Sequence, residues 1–107
     1  MAGTWSVKED EGTLVVIQQH EGDLVATASY PSGAETVSWR AEGRISKSGH
    51  VTMRLVYTQP HPSDRWKPQT RTALLSLDGT WLEGHAAFEG GGHPFTWKLA
   101  EPNEAEP

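Results

Sequence analysis

The side chains of this chain that are best suited to binding chemistry are its aromatic ones. The sequence has five tryptophans and two tyrosines. An indole or a phenol combines a large apolar ring with one hydrogen-bonding group, which is typical of pockets for small molecules. Tyr30, Trp39 and Tyr57 fall at alternate positions of predicted strands and point to the predicted interior. They predict a binding site for an apolar or aromatic ligand that the two tyrosine hydroxyls orient.

Small residues on the same strands favour a cavity beside these rings. An eight-stranded barrel is either filled by its own side chains or holds one small ligand, so the volume of the inward side chains decides between the two. The alternative to a cavity is that Trp39, Met53 and Phe88 fill the space. The predicted inward face carries four small residues, Ala26, Ala28, Ala41 and Gly43.

Known catalytic motifs are missing from the sequence, which has no G-x-S-x-G elbow, no P-loop and no H-E-x-x-H pattern. Glu83 and His85 are two apart on one strand, about 7 Å between Cβ atoms, which is close enough for a shared proton or a metal. His93 follows across a turn. The simpler interpretation is that these residues are solvated on the exterior. We therefore predict no catalytic residue, no metal and no cofactor, with a small isomerase or cyclase as an alternative.

The longest irregular part of the sequence runs from Pro60 to Gln69, and the candidate contact loop runs from Pro60 to Arg71. It carries Trp66 between Arg65 and Lys67. An aromatic residue flanked by cations is a frequent composition of contact loops and of lids over pockets. We expect Trp66 either to cover the ligand site or to be displayed to another protein. The second possibility makes a protein-interaction or inhibitor module the alternative function.

Composition limits the classes of partner and the compartment. The chain has 107 residues, a formal charge of −5 and an isoelectric point near 5.4, so nucleic acid and membranes are not expected partners. Arg40, Arg44 and Arg54 on neighbouring strands are interpreted as ordinary solvated surface. The sequence shows no signal-peptide pattern and no apolar run of roughly 18 residues, which predicts a cytoplasmic protein. Composition leaves the oligomeric state open.

The segments that must position these residues are predicted to be strands. Apolar and polar residues alternate between turn residues, a pattern typical of all-β proteins. Short connections indicate that consecutive strands pair antiparallel. The predicted fold is a single eight-stranded up-and-down β-barrel, a meander, over residues 1–100, followed by a disordered acidic tail over 101–107; a two-sheet sandwich is the alternative. The predicted strands cover residues 4–9, 13–19, 24–30, 36–45, 50–59, 70–77, 81–89 and 93–100.

Two strands carry further expectations about which side chains point inward. The second strand has an unbroken apolar run from Leu14 to Ile17, which predicts burial on both faces at its start. In the seventh strand, either of the two alternating sets of side chains could point inward, and the favoured set contains no charged residue that would have to be buried. That favoured set consists of Leu82, Gly84, Ala86 and Phe88.

A Gly-Thr-Trp triplet occurs twice, at residues 3–5 and 79–81. In a closed barrel, a glycine that lets the chain bend and a large ring after it can plug the floor, so Trp5 is expected there. The first triplet, the strand ending ATASY, the later AEGRIS and the tryptophans of the last two strands together resemble the layout of the avidin-like and lipocalin-like barrels, the calycin group.

This resemblance implies roles for particular residues. Tyr30 would match a tyrosine that hydrogen-bonds the ligand. The aromatic walls of the pocket would come from Trp66, Trp81 and Trp97. Val7 stands where the family has a polar residue soon after the first triplet, and nothing after Trp97 supplies a ligand-facing aspartate. The resemblance therefore implies a ligand-binding barrel but not biotin binding.

Overall fold

The computed structural model describes residues 1–8, 13–32, 34–59 and 68–102. These residues form eight antiparallel strands in meander order, which confirms the predicted all-β barrel. The predicted strand ends differ from those of the structure by two residues at most. The strands are β1 Gly3–Val7, β2 Leu14–His20, β3 Asp23–Ser32, β4 Glu35–Ile45, β5 His50–Gln59, β6 Gln69–Leu75, β7 Trp81–Phe88 and β8 Gly91–Pro102.

The sheet closes on itself because β1 pairs with β8 as well as with β2. Trp5 lies opposite Val15 on one side and opposite Leu99 on the other. Each described strand therefore has two hydrogen-bonded neighbours, and these strands leave no open edge for another chain to extend. The two-sheet sandwich is wrong for this chain.

The last strand is longer than its sequence pattern indicates. β8 begins at Gly91 and runs to Pro102, which lies opposite Gly3 of β1. Pairing with β1 thus carries the strand two residues past the predicted end of the domain, and residues 103–107 of the predicted tail lie outside the described residues. Within the part of the chain that the structure describes, no helix has the length and apolar character needed to cross a membrane.

Alternate side chains of every strand point into the barrel and form one core. The pleat of a strand turns successive side chains to opposite faces, so each strand contributes every second residue. The buried apolar residues are Trp5, Val15, Ile17, Leu24, Ala26, Ala28, Val37, Trp39, Ala41, Val51, Met53, Leu55, Tyr57, Ala73, Leu82, Ala86, Phe95 and Trp97.

The facing of β2 differs from the prediction, whereas that of β7 agrees with it. In β2, Val15 and Ile17 are buried, but Leu14 and Val16 are 51% and 47% exposed. The prediction of burial on both faces is wrong because a single-layered barrel offers each strand only one apolar side. In β7 the inward side chains are those of Leu82 and Ala86.

The two ends of the barrel differ, and we call them the floor and the mouth. The floor is the end at which β2, β4 and β6 finish; the mouth is the end at which β1, β3, β5 and β7 finish. Trp5 is fully buried and its indole N–H donates a hydrogen bond to the carbonyl of Met1, 3.0 Å away, as expected for a floor residue. Near the floor, β4 and β5 approach so closely that a Cβ on Gly43 would clash with the carbonyl oxygen of Thr52.

Candidate ligand-binding cavity at the barrel mouth

A cavity of about 200 Å³ lies inside the mouth of the barrel. It is built from the inward positions nearest the mouth, while deeper inward residues such as Met53 and Leu55 are fully buried in the core. The cavity is therefore confined to one end of the barrel. Its described lining comprises Val7, Thr13, Tyr30, Trp39, Tyr57, Gln69, Arg71, His93, Pro94, Phe95 and Trp97.

One wall of the cavity, which we call the polar wall, is a hydrogen-bonded row formed by Arg71, Gln69 and Tyr57. The side-chain carbonyl of Gln69 accepts hydrogen bonds from Nε and Nη2 of Arg71, at 3.1 and 2.9 Å. The Gln69 amide nitrogen donates to the hydroxyl oxygen of Tyr57, at 3.2 Å. All three residues are at most 8% exposed. Because buried polar groups need partners, these bonds fix the orientation of the guanidinium and the phenol.

A second wall consists of aromatic rings on β4 and β8. Trp39 and Trp97 stack with their ring centroids 6.0 Å apart and their planes 17° from parallel. Phe95 meets Trp97 at 5.2 Å and a tilt of 54°. Both arrangements belong to the favourable geometries of aromatic pairs. These rings give the cavity a rigid apolar surface.

The Arg71 guanidinium lies against this aromatic wall. Its central carbon is 4.7 Å from the ring centroid of Phe95, 5.6 Å from that of Trp97 and 5.8 Å from that of Trp39. Each distance is within the range of about 6 Å over which a ring face attracts a cation. The positive charge is therefore held inside the cavity, between the Gln69 amide and the ring faces.

The Tyr57 hydroxyl is a neutral donor and acceptor in this site. Burial raises the pKa of Tyr57 above its ordinary value of 10.0, although the positive charge of Arg71 and hydrogen bonds with Tyr30 and Gln69 oppose part of the shift. A phenol with a raised pKa keeps its proton at neutral pH. The hydrogen bond to Tyr30 also joins the two tyrosines that the sequence singled out.

The structure brings four of the six predicted ligand-binding residues together at this cavity: Tyr30, Trp39, Tyr57 and Trp97. Trp66 lies outside the described residues, so its covering role stays a prediction. The four small residues that were expected to leave space do not line this cavity, which is nearer the mouth than Ala26, Ala41 and Gly43 are. The space is bounded instead by aromatic rings and by the polar wall.

Trp81 is not brought to the cavity, although the resemblance implies a place in its wall. Leu82 points inward, so the neighbouring Trp81 faces the outside of β7. Its indole N–H donates to the carboxylate of Glu83 at 2.8 Å. The ammonium of Lys8 lies 5.6 Å from its ring centroid. Trp81 is therefore a surface side chain with polar neighbours.

The suggestive pair Glu83 and His85 is exposed on the outer face of β7, in agreement with the simpler interpretation. His93 borders the mouth cavity, and its Nδ1 lies 2.9 Å from the carbonyl oxygen of Pro94. Among the described residues, no three His, Asp or Glu side chains come together as a metal site requires.

Sequence reasoning missed the two polar residues of β6, Gln69 and Arg71. The signal was present, because the alternation of QTRTALL places Gln69, Arg71 and Ala73 on one face. Gln69 was assigned to the irregular stretch. Arg71 fell within the predicted strand 70–77 but was not assigned to the interior, from which a charged residue is normally excluded. Their burial depends on Phe95, Trp97 and Tyr57, which are distant in sequence.

The outer surface of β4 and β5 carries the three arginines that were expected on a solvated surface, Arg40, Arg44 and Arg54. Arg40 pairs with Glu42 at 2.9 Å, and Arg44 lies 3.4 Å from Asp23. A depression of about 790 Å³ lies across this surface, with Arg44 and Glu42 among its lining. Exposed ion pairs of this kind contribute little to stability and hold the arginines in solvated positions. The surface agrees with the interpretation as ordinary solvated surface.

No family model, no curated protein and no solved structure matches this chain. The closed eight-stranded antiparallel meander is compatible with the calycin-like resemblance of the sequence. The support for a function therefore comes from the cavity and its lining.

Proposed function

We propose that this barrel binds a small aromatic molecule in the mouth cavity. The observation that carries the proposal is a cavity of about 200 Å³ in which stacked tryptophan rings lie beside a row of buried hydrogen-bonding side chains. Apolar walls with a few fixed polar groups are the usual composition of a small-molecule site. The rings supply contact area, and the polar groups orient the ligand.

The volume favours a ligand with one ring. Sites for drug-sized molecules typically measure about 300–1,000 Å³, and an apolar cavity of about 150 Å³ in another protein accepts benzene. At about 200 Å³, the mouth cavity suits a six-membered ring with one polar substituent. Such a ring would lie against Trp39 and Trp97, and its substituent would face the hydroxyls of Tyr30 and Tyr57.

The alternative functions stay predictions. An interaction or inhibitor module would use the stretch from Pro60 to Arg71, of which residues 60–67 lie outside the described residues. A small isomerase or cyclase would use one acid–base group. The neutral phenol of Tyr57 does not favour this alternative, because a binding site can use the same group to orient a ligand. A cytoplasmic location also stays a prediction, as does the absence of nucleic-acid partners.

The proposal is tested by titrating the ¹⁵N-labelled protein with single-ring fragments of neutral, anionic and cationic character. We expect at least one fragment class to shift the indole N–H signals of Trp39 and Trp97, because both rings line the cavity. The indole signal of Trp81, on the outer face of β7, serves as the internal control and should stay in place.

Two variants separate the cavity from the surface. Trp39→Ala removes a cavity wall and should weaken fragment binding, whereas Trp81→Ala removes a surface ring and should leave it unchanged. If no fragment of any class shifts Trp39 or Trp97, the proposed function is wrong.

A further inference from the structure

We propose that the ligand of the mouth cavity carries a carboxylate, and that Arg71 binds this group. The inference rests on the proposed binding function and names the chemical class of the ligand, an aromatic monocarboxylate. Three observations support it: the position of the guanidinium, the direction of the hydrogen bonds in the polar wall, and the distribution of charge.

The position of the guanidinium is costly for the fold. Arg71 is 8% exposed and lies among ring faces. Moving a guanidinium out of water costs free energy, and an apolar side chain of similar volume commonly fills such a position without that cost. Contacts with Phe95 and Trp97 offset part of it. A charge kept at the wall of a ligand cavity therefore indicates recognition of the opposite charge.

The hydrogen bonds of the polar wall run in one direction, from Arg71 to Tyr57. Arg71 donates to the Gln69 carbonyl, and the Gln69 amide nitrogen donates to the Tyr57 oxygen. Arginine has donors only, and the Tyr57 hydroxyl is bonded to Tyr30 as well as to Gln69. The guanidinium is thus the part of the wall richest in N–H protons, which suit the lone pairs of a carboxylate better than an apolar group or a cation.

The distribution of charge points to the same class. The chain carries a formal charge of −5, yet the described lining of the cavity contains Arg71 and neither Asp nor Glu. A positive charge in the cavity of an acidic protein concentrates anions at one place. The planar guanidinium matches the planar carboxylate in geometry, and a ring that bears a carboxylate also satisfies the aromatic wall.

Benzoate and benzamide provide the test, because they share one shape and differ in charge. We expect calorimetric titration of the full chain to show benzoate binding about tenfold more tightly than benzamide, the ratio that a charge-assisted hydrogen bond produces. The preference should shrink as salt is added, because screening weakens the attraction between charges.

Three variants locate the preference. Arg71→Met removes the charge and should abolish the preference while benzamide still binds. Gln69→Glu places a carboxylate beside the guanidinium and should compete with that of the ligand, so it too should abolish the preference. Arg54→Met removes one positive charge from the exposed outer face of β5 and should leave the preference intact.

The outcomes for the two proposals can be told apart. Equal binding of benzoate and benzamide by the wild-type protein, or a preference that survives in folded Arg71→Met, overturns the carboxylate inference and leaves the binding function standing. If neither these compounds nor any other fragment binds, both proposals are wrong. Where a variant does not fold, the wild-type ratio and its salt dependence decide.

Discussion

Tyr57 is subject to opposing influences that its titration can measure. Burial raises its pKa above 10.0, while Arg71 and the hydrogen bonds with Tyr30 and Gln69 lower it. Tyr30→Phe leaves Tyr57 as the only tyrosine of the chain and removes one lowering influence. We expect ultraviolet absorbance of this variant to show tyrosinate forming with a pKa above 10.0. Titration at or below that value would contradict the burial of the phenol.

The same raised pKa has a consequence for stability. A group that holds its proton more tightly in the folded state stabilises the fold fully below its unfolded-state pKa, and this stabilisation is lost as pH rises through the folded-state pKa. Wild-type protein should therefore lose free energy of unfolding above pH 10.0, the ordinary value for tyrosine. Tyr57→Phe should lose less over the same interval in urea denaturation.

The aromatic residues of the cavity were predictable, whereas its polar residues were not. Alternation along a strand assigns each side chain to a face, which is how Trp39 and Tyr57 were placed inward. Whether an inward position accepts a charge depends on the groups across the barrel, and Arg71 lies against Phe95, which is distant in sequence. Trp81 was wrongly expected in the cavity wall for a related reason, because an aromatic residue in a strand can also belong to the outer face.

The turn between β6 and β7 is held by one carboxylate. Asp78 accepts hydrogen bonds from the Ser76 hydroxyl at 2.6 Å and from the Thr80 hydroxyl and backbone N–H at 2.8 and 3.1 Å. These bonds, that from Ser76 first, lower the pKa of Asp78 below its ordinary value of 3.8. A lowered pKa stabilises the fold above the unfolded-state pKa, and this stabilisation is lost as pH falls through the folded-state value.

We therefore expect Asp78→Ala to melt at a lower temperature than the wild type at neutral pH. The difference should narrow as pH falls below 3.8, because protonation weakens the wild-type turn as well. Circular dichroism melts over a pH series measure both effects. Leu77→Ala, at a fully exposed position of the same turn, should melt like the wild type. An equal effect of the two substitutions would contradict the role of Asp78.

The strands were predictable because turn residues interrupt the alternation at regular intervals. The facing of β2 was not, since Leu14 and Val16 are as apolar as their buried neighbours and only closure of the sheet exposes them. The early start of β8 was not predictable either, because Gly91 and Gly92 are poor strand formers that pairing with β7 nevertheless holds extended.

Closure of the barrel places the beginning of the first strand beside the end of the last. Gly3 lies opposite Pro102, so the start of β1 and the end of β8 can be joined by a linker that does not cross the barrel. We expect a circular permutant, joined through residues 103–107 and a short flexible linker and opened between Lys47 and Ser48, to form the same barrel. Those two residues are exposed in the turn between β4 and β5.

Circular dichroism and a ¹⁵N–¹H spectrum compare the permutant with the parent. As the control, opening the chain between Arg40 and Ala41 cuts the middle of β4 and should prevent folding, because it interrupts pairing on both sides of the strand. A permutant opened at residue 47 that does not fold would contradict the closed topology.

The sequence could favour a closed barrel over a sandwich but could not establish it. Eight strands with short connections are compatible with a barrel or a sandwich, and the difference lies in the pairing of β1 with β8. Its register, with Trp5 opposite Leu99, joins residues at opposite ends of the chain. No local pattern encodes such a pairing, so the strand count alone could not decide.

The antiparallel meander also divides the connecting segments into two sets. Those after β2, β4 and β6 leave at the floor, where Trp5 is anchored, and those after β1, β3, β5 and β7 leave at the mouth, around the cavity. The second set can be exchanged for segments of other length and composition without disturbing the core or its anchor. The barrel is thus suited to engineering, as a scaffold on which new specificities are selected from libraries of mouth loops.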